Sequence, residues 1–195
     1  MKVTVDFGVY HHSSREESEK MRREISSMFS KAIENIRGKL PDGISIRALD
    51  AGCGLGFISY LIYSEFRDAH IYAIDIFTDS SLQDNSMERT FQNFRHLGMS
   101  ENVTVVRSDL RKIPYDDCYF GIAASSLVYH NLGNDFQSGI SEIHRVLEND
   151  GIFLYGDIFV EKRRNQIEEL FRISDSVESD VMKGYSLLTL IQSSF

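Results

Sequence analysis

A three-layer α/β/α sandwich around a mostly parallel sheet is predicted by two observations. Apolar strand-like runs alternate with helical stretches from residue 44 onward, and a glycine-rich turn, "ALDAGCGLGF" at 48–57, directly follows the first of those runs. Strand, helix and strand in regular succession give parallel pairing with helices on both faces. Ligands of such sheets bind at the carboxyl ends of the strands, near the point where strand order reverses.

The first element precedes the alternation. In "SSREESEKMRREISSMFSKAIENIRG", Ser13 and Glu16 have capping-box spacing, while Met21, Ile25, Met28, Ala32 and Ile36 recur at helical intervals. An amphipathic helix over about 13–38 is expected, ending near Gly38, with Arg15, Glu16, Arg22 and Arg23 on a solvated face. "LPDG" then makes a turn. "ISIRALD" reads as a buried strand, "FISYLIYSEF" as a helix, "HIYAID" as a second strand, and "SLQDNSMERTFQNFRHLG" as a helix closed by Gly98. "NVTVVRSD" and "YFGIAASSL" read as strands three and four, "NDFQSGISEIHRVLENDG" as a helix capped by Asn134, and "GIFLYGDIFV" as strand five. In the tail, Ile167, Leu170 and Phe171 suggest a helix and "YSLLTLIQ" a closing strand.

Composition bounds the function. A chain of 195 residues, 42% hydrophobic and 26% charged, is expected to form one domain over 1–195 with a real core. The net charge of −8 is a poor match to a polyphosphate backbone, which disfavours nucleic acid without excluding a local basic patch. Cys53 and Cys118 lack CxxC spacing and no His-rich run offers metal ligands, so neither a disulfide framework nor a metal site is expected. No stretch approaches the roughly 20 apolar residues of a membrane span, and the start lacks the apolar segment of a signal peptide. A cytoplasmic protein that does not enter the membrane is expected.

The glycine turn narrows the ligand. The dinucleotide fingerprint G-x-G-x-x-G needs glycine at position 57, where this chain has Phe57; its third glycine is Gly56, and Asp50 stands at the mouth of the turn. A diphosphate favours the bare amino end of a helix, whereas an acidic residue there suits a ligand carrying positive charge. S-adenosylmethionine carries a sulfonium and an amino group, and no phosphate.

"LDAGCGLG" resembles the acidic-x-G-x-G-x-G signature of the Rossmann-like S-adenosylmethionine-dependent methyltransferases. Downstream, "IYAIDIF" resembles their second strand with its terminal acid, and "VTVVRSDLRKIPYDDCYFGIAASSLVYHNL" their third strand, acidic turn, proline-containing loop and fourth strand. "EIHRVLENDGIFLYGD" resembles their passage into strand five; the likeness covers roughly 44–160. It implies a Rossmann-like sandwich that binds S-adenosylmethionine, with Gly52, Gly54 and Gly56 letting the backbone approach the methionine part. Asp50 would orient the loop and favour the ligand's amino group, or simply cap a helix. Asp75 would accept hydrogen bonds from the ribose hydroxyls. Asp109 would take the adenine amino group, with the Leu110 amide on a ring nitrogen, unless Asp109 only forms an Asx turn. Ile76 and Phe77 would pack on the adenine or ribose, unless they are plain core, with Ser125 and Ser126 beneath the sulfonium. Where many relatives read Phe-Asp entering strand four, this chain reads Phe120-Gly121.

Methyl transfer from a sulfonium is a direct displacement that mainly needs alignment and exclusion of water. A base matters only where the acceptor must lose a proton, and Tyr129 and His130 stand just beyond strand four. His130 is either that base or a loop-lining residue. Tyr10, His11 and His12 precede the first helix and would fold over the pocket as amino-terminal segments do in similar enzymes, unless the paired histidines only face solvent; the helical segment over about 13–38 is expected as lid or cap. Relatives finish with an antiparallel strand pair, of which one strand is legible. Either the sheet is shortened there or "RISDSVESDVMKG" forms an acceptor-site helix. The N/D-P-P-Y/F pattern of enzymes methylating exocyclic amines of nucleic acids is absent. The expected function is methyl transfer to a small-molecule acceptor. The alternatives are an RNA or protein methyltransferase and a non-catalytic S-adenosylmethionine-binding regulatory module. An aminopropyltransferase would want an extra acidic pair near the sulfonium, for which the sequence offers no clear candidate.

Overall fold

The computed structural model describes residues 5–38, 46–78 and 82–193; the "LPDG" turn and residues 44–45 of the first expected strand lie outside them. Five parallel strands follow in order: β1 (Arg47–Ala51), β2 (His70–Asp75), β3 (Val103–Arg107), β4 (Phe120–Ser126) and β5 (Leu147–Ile158). β6 (Phe171–Glu178) and β7 (Tyr185–Gln192) complete a seven-stranded sheet ordered β3-β2-β1-β4-β5-β7-β6, with β7 antiparallel to both its neighbours. Strand order therefore reverses between β1 and β4, at the glycine turn. Leu49, Ala51, Ile74 and Ala123 have no exposed surface, because central parallel strands are covered on both faces and read as continuous apolar runs.

Two buried clusters make the outer layers. One joins α1 (Arg15–Arg37), α2 (Phe57–Glu65) and Phe94 of α3 (Met87–His96) to the sheet through Ile25, Phe29, Ile33 and Ile62. The other packs α4 (Phe136–Val146) and Ile167 of α5 (Arg164–Glu168) on the opposite face through Ile140 and Ile143. The architecture is the mostly parallel Rossmann-like sandwich expected.

Local details differ from the expectation. The capping box uses Ser14 and Glu17, one residue later than Ser13 and Glu16: Ser14 Oγ accepts from the Glu17 amide at 3.2 Å, and the Glu17 carboxylate from the Ser14 amide at 2.7 Å. Ser13 Oγ instead donates to the Tyr10 carbonyl at 2.9 Å, which fastens the preceding segment. Arg22 leaves the solvated face; it is buried and donates to the carbonyls of Gly8 at 2.7 Å and Phe7 at 3.4 Å. α3 begins only at Met87, capped by Ser86. Asn134 lies in a 3-10 turn over Tyr129–Asp135 and caps nothing, and Phe171 opens β6 instead of extending a helix.

The expected shortening of the C-terminal strand pair is overturned. Residues 172–178 of the stretch weighed as an acceptor-site helix belong, with Phe171, to β6, paired along β7 from Phe171↔Gln192 to Glu178↔Ser186.

Candidate active site

A cavity of about 490 Å³ opens at the carboxyl ends of the parallel strands. Sheet order sets its lateral order. Asp109 and Leu110 follow β3, Asp75 ends β2 with Ile76 just beyond it, and Gly52 and Gly54 follow β1; past the reversal come Ser126 at the end of β4, His130 in the turn after it, and Ile158 of β5.

The glycine turn is built by β2 and α2. The amides of Gly52 and Cys53 both donate to the Ile74 carbonyl, at 2.8 and 2.9 Å, folding the chain back over the end of β2. Gly52 and Gly56 have φ of +81° and +89°, which side chains rarely adopt. A Cβ would also stand 2.5 Å from Val128 at Gly52 and 2.5 Å from Phe94 at Gly56. Gly56 lies outside the cavity lining, and its need is packing against α3 at the start of α2. Gly52 and Gly54 do line it.

Asp50 is wholly buried and likewise outside the cavity lining. Its Oδ2 accepts from the Ser59 amide at 2.8 Å and the Ser59 hydroxyl at 2.6 Å, tying β1 to the first turn of α2. Oδ1 is buried without a hydrogen-bond partner among the described residues. Burial pushes this carboxyl up to about 7, the nearby Asp75 adding to the rise and the two Ser59 donors opposing it.

Asp75 faces the cavity and also organises the loop. Its Oδ2 accepts from the Gly54 amide at 2.9 Å, and Oδ1 from the Phe77 amide at 2.6 Å and Asn85 Nδ2 at 3.3 Å. Asp109 lines the cavity but is engaged by Arg111, whose backbone amide donates to Oδ1 at 2.8 Å and whose guanidinium contacts both oxygens. That guanidinium holds the Asp109 carboxyl below its ordinary range. Arg111 reaches Asp135 as well, at 2.7 Å. The Asx turn weighed for Asp109 is thus present, and Leu110 beside it is buried against the cavity.

Beyond the reversal the residues sort by the period of two. Ser125 Oγ donates to the Ala51 carbonyl at 2.7 Å and is buried away from the cavity, while Ser126 lines it and meets the Tyr185 hydroxyl at 2.9 Å. Leu127 follows at a left-handed φ of 59°, an uncommon conformation for a leucine, on the cavity wall. Tyr129 is not in the cavity. It is fully buried edge-on to Phe136, Phe153 and Tyr155, in the core on which the cavity loop rests, and burial raises its hydroxyl well above the usual range.

His130 lines the cavity, and its Nδ1 lies 2.6 Å from Oδ1 of Asp157, a wholly buried residue near the end of β5. Sequence reading missed Asp157. Tyr10, His11 and His12 all line the cavity, on a segment fastened to α1 by Arg22 and by the Ser18 hydroxyl on the Tyr10 amide at 3.0 Å. Met21 of α1 reaches the cavity beneath them.

Residues 49–155, more than half of the chain, match the family described as methyltransferase domain. The chain belongs to the Rossmann-like S-adenosylmethionine-dependent methyltransferase family. Two curated relatives of this methyltransferase domain are named malonyl-[acyl-carrier protein] O-methyltransferase. The one from Nitrosospira multiformis is 27% identical over 162 residues, 80% of this chain and 50% of that protein. The one from Bacillus cytotoxicus is 24% identical over 194 residues, 98% of this chain and 60% of that protein. The chain thus spans half to three-fifths of the length of these relatives. A solved structure of a putative S-adenosyl-L-methionine-dependent methyltransferase from Methanococcus maripaludis shares the fold, with a TM-score of 0.65 at 17% identity, over 96% of this chain and 99% of that one.

S-adenosylmethionine is the cofactor of this methyltransferase domain, and the donor set fits it. The cradle presents glycine backbone and carboxylates, and Arg111, the one guanidinium lining it among the described residues, is already held by Asp109 and Asp135, which suits a cationic ligand without phosphate. Among the described residues no cluster of three His, Cys, Asp or Glu is placed to hold a metal, and no helix is long and apolar enough to cross a membrane.

Proposed function

We propose that this domain transfers a methyl group from S-adenosylmethionine to a small acceptor that gives up a proton to His130. The observation carrying this reading is the His130–Asp157 pair, with His130 on the cavity wall across the sheet reversal from Asp75. Bound S-adenosylmethionine supplies an electrophilic methyl whose sulfur leaves as a neutral thioether when the acceptor's lone pair takes the carbon. Gly52 and Gly54 would hold the methionine part, Asp75 the ribose, and Ile76, Asp109 and Leu110 the adenine. Tyr10, His11 and His12 would cover the site against water. His130 would receive the acceptor's proton at Nε2 and release it to solvent afterwards. A cavity of about 490 Å³ falls within the range of small-molecule sites, roughly 300–1,000 Å³, and the net charge of −8 supports a small acceptor over RNA. Two cysteines without a bond between them, Cys53 and Cys118, support a reducing cytoplasmic setting.

A second reading takes its acceptor from the curated relatives: a carboxylate on an acyl carrier. A carboxylate is already ionised near neutrality and needs no base. Methyl-labelled S-adenosylmethionine, offered with phenols and thiols, with a malonyl thioester, and with RNA, separates the possibilities. Label on the phenols or thiols is the expected result. Label on the malonyl carboxylate replaces it with the second reading, and salt-sensitive label in RNA sinks both. Cofactor binding with no label anywhere makes the chain a binding module.

Asp75→Ala tests the cofactor side. Hydrogen bonds to a charged acceptor are worth about 1.5–3 kcal/mol each, so cofactor affinity is expected to fall roughly ten- to hundredfold per bond lost. Calorimetry beside a melting curve decides: unchanged affinity in a folded variant removes the ribose role.

A further inference from the structure

We propose that Asp157 is a positioning residue that fixes the His130 imidazole with its proton on Nδ1, leaving Nε2 as the nitrogen that exchanges a proton with the acceptor. This rests on the base reading of His130 given above. Asp157 is wholly buried on β5, a strand flanked by β4 and β7, so its carboxylate is held by the sheet. The parallel register puts Ser126 of β4 beside Gly156 of β5, which brings the loop after β4, carrying His130, onto the residue that follows Gly156. Oδ1 takes His130 Nδ1 at 2.6 Å and the Ile158 amide at 2.8 Å; Oδ2 takes the His130 amide at 3.0 Å and the Tyr155 hydroxyl at 3.4 Å.

The Ile158 and His130 amides both donate to the Asp157 oxygens, so these serve as acceptors, and the short contact then places hydrogen on Nδ1. The same residue grips both the backbone and the ring of His130, which sets the ring's orientation as well as its tautomer. An acid behind a histidine acts in this way in hydrolase triads, where its replacement leaves the wrong tautomer facing the reaction. Here the proton would pass from the acceptor to Nε2, the electron pair stays with the acceptor atom and forms the bond to the methyl carbon, and the positive charge rests on an imidazolium stabilised by Asp157. The sequence gives a weak signal for this partner, since His130 and Asp157 are far apart along the chain and meet only through strand register.

A merely structural role for Asp157, holding the turn after β4 through the His130 amide, makes a different prediction. Nitrogen NMR of the histidine rings in the full chain, at a pH where the imidazole is neutral and with His130→Gln to assign the signal, reads the tautomer directly. The wild type is expected to carry the proton on Nδ1. In Asp157→Ala the carboxylate that selects that nitrogen is gone, and the Nε2–H form is expected to grow. The rate constant kcat is expected to fall by about 10²–10⁴ while the cofactor Kd stays unchanged. A wild-type spectrum showing hydrogen on Nε2 overturns the proposal by itself, whether or not the variant folds. An unaltered tautomer in a variant that still binds cofactor overturns it too. A changed tautomer with unchanged kcat upholds the hold of Asp157 on the ring and removes the base reading instead.

Discussion

His130→Gln is expected to lower kcat by about 10²–10⁴ with cofactor affinity nearly intact, because a base acts on the acceptor and not on the donor. Geometry supports the separation of the two effects. His130 belongs to the loop after β4, whereas the glycine turn and the acids at the ends of β2 and β3 lie on the other side of the strand reversal. Glutamine keeps much of the imidazole's bulk and its hydrogen bonding but takes no proton near neutrality. With a proton-bearing acceptor the wild-type rate should rise with pH as the imidazole loses its proton, and the variant should lack that rise. Equal kcat in the two proteins would reduce His130 to loop packing. Parallel losses of rate and cofactor binding would move it into the cofactor site.

Asp50 should make stability depend on pH in the direction opposite to an ordinary salt-bridged acid. Burial lifts its carboxyl from 3.8 to about 7 in the folded chain, so the folded form holds a proton that the unfolded form has released. The associated stability is fully present below the unfolded value and is lost as pH rises through the folded one. A rise of this size corresponds to a change on the order of 4 kcal/mol across the window, using about 1.36 kcal/mol per unit. Denaturant titrations of wild type and Asp50→Asn at a series of pH values isolate the effect. Asp6, Asp109 and Glu142, held low by their arginine partners, titrate the other way but are common to both proteins. Stability of the variant relative to wild type should climb between about pH 4 and pH 7 and then level off. Parallel curves would show that the buried carboxyl is better solvated than its surroundings indicate.

The two ends of the sheet show what could and could not be read from residues. β1 and β2 were legible because both faces of a central parallel strand are apolar, and β7 because "YSLLTLIQ" is a similar buried run. β6 was not. Its sequence, "FRISDSVE", alternates only as far as Ile173, and a bulge between Ile173 and Asp175 shifts the pattern. Pairing with β7 makes it a strand, and that partner is invisible to local preference. In the site, the glycine turn and the acid ending β2 carried strong local signals. Ser125 and Ser126 differ by one position, so their faces depend on a strand phase that "AASS" does not display. Tyr129 and His130 are equally close neighbours, and the 3-10 turn sends one ring into the core and the other to the cavity. Ser14 took the capping position from Ser13 because two adjacent serines, each followed three residues later by a glutamate, satisfy the same pattern.

The bulged outer strand also bears on how the protein behaves when concentrated. An edge strand offers unpaired amides and carbonyls, on which a strand from another molecule can grow into a β-aggregate. β6 exposes Arg172, Asp175 and Glu178 along that rim, and the bulge bends the backbone in their midst. An incoming strand would have to desolvate those charges and follow a kinked ladder. The margin of the sheet is thereby kept from templating its own polymerisation.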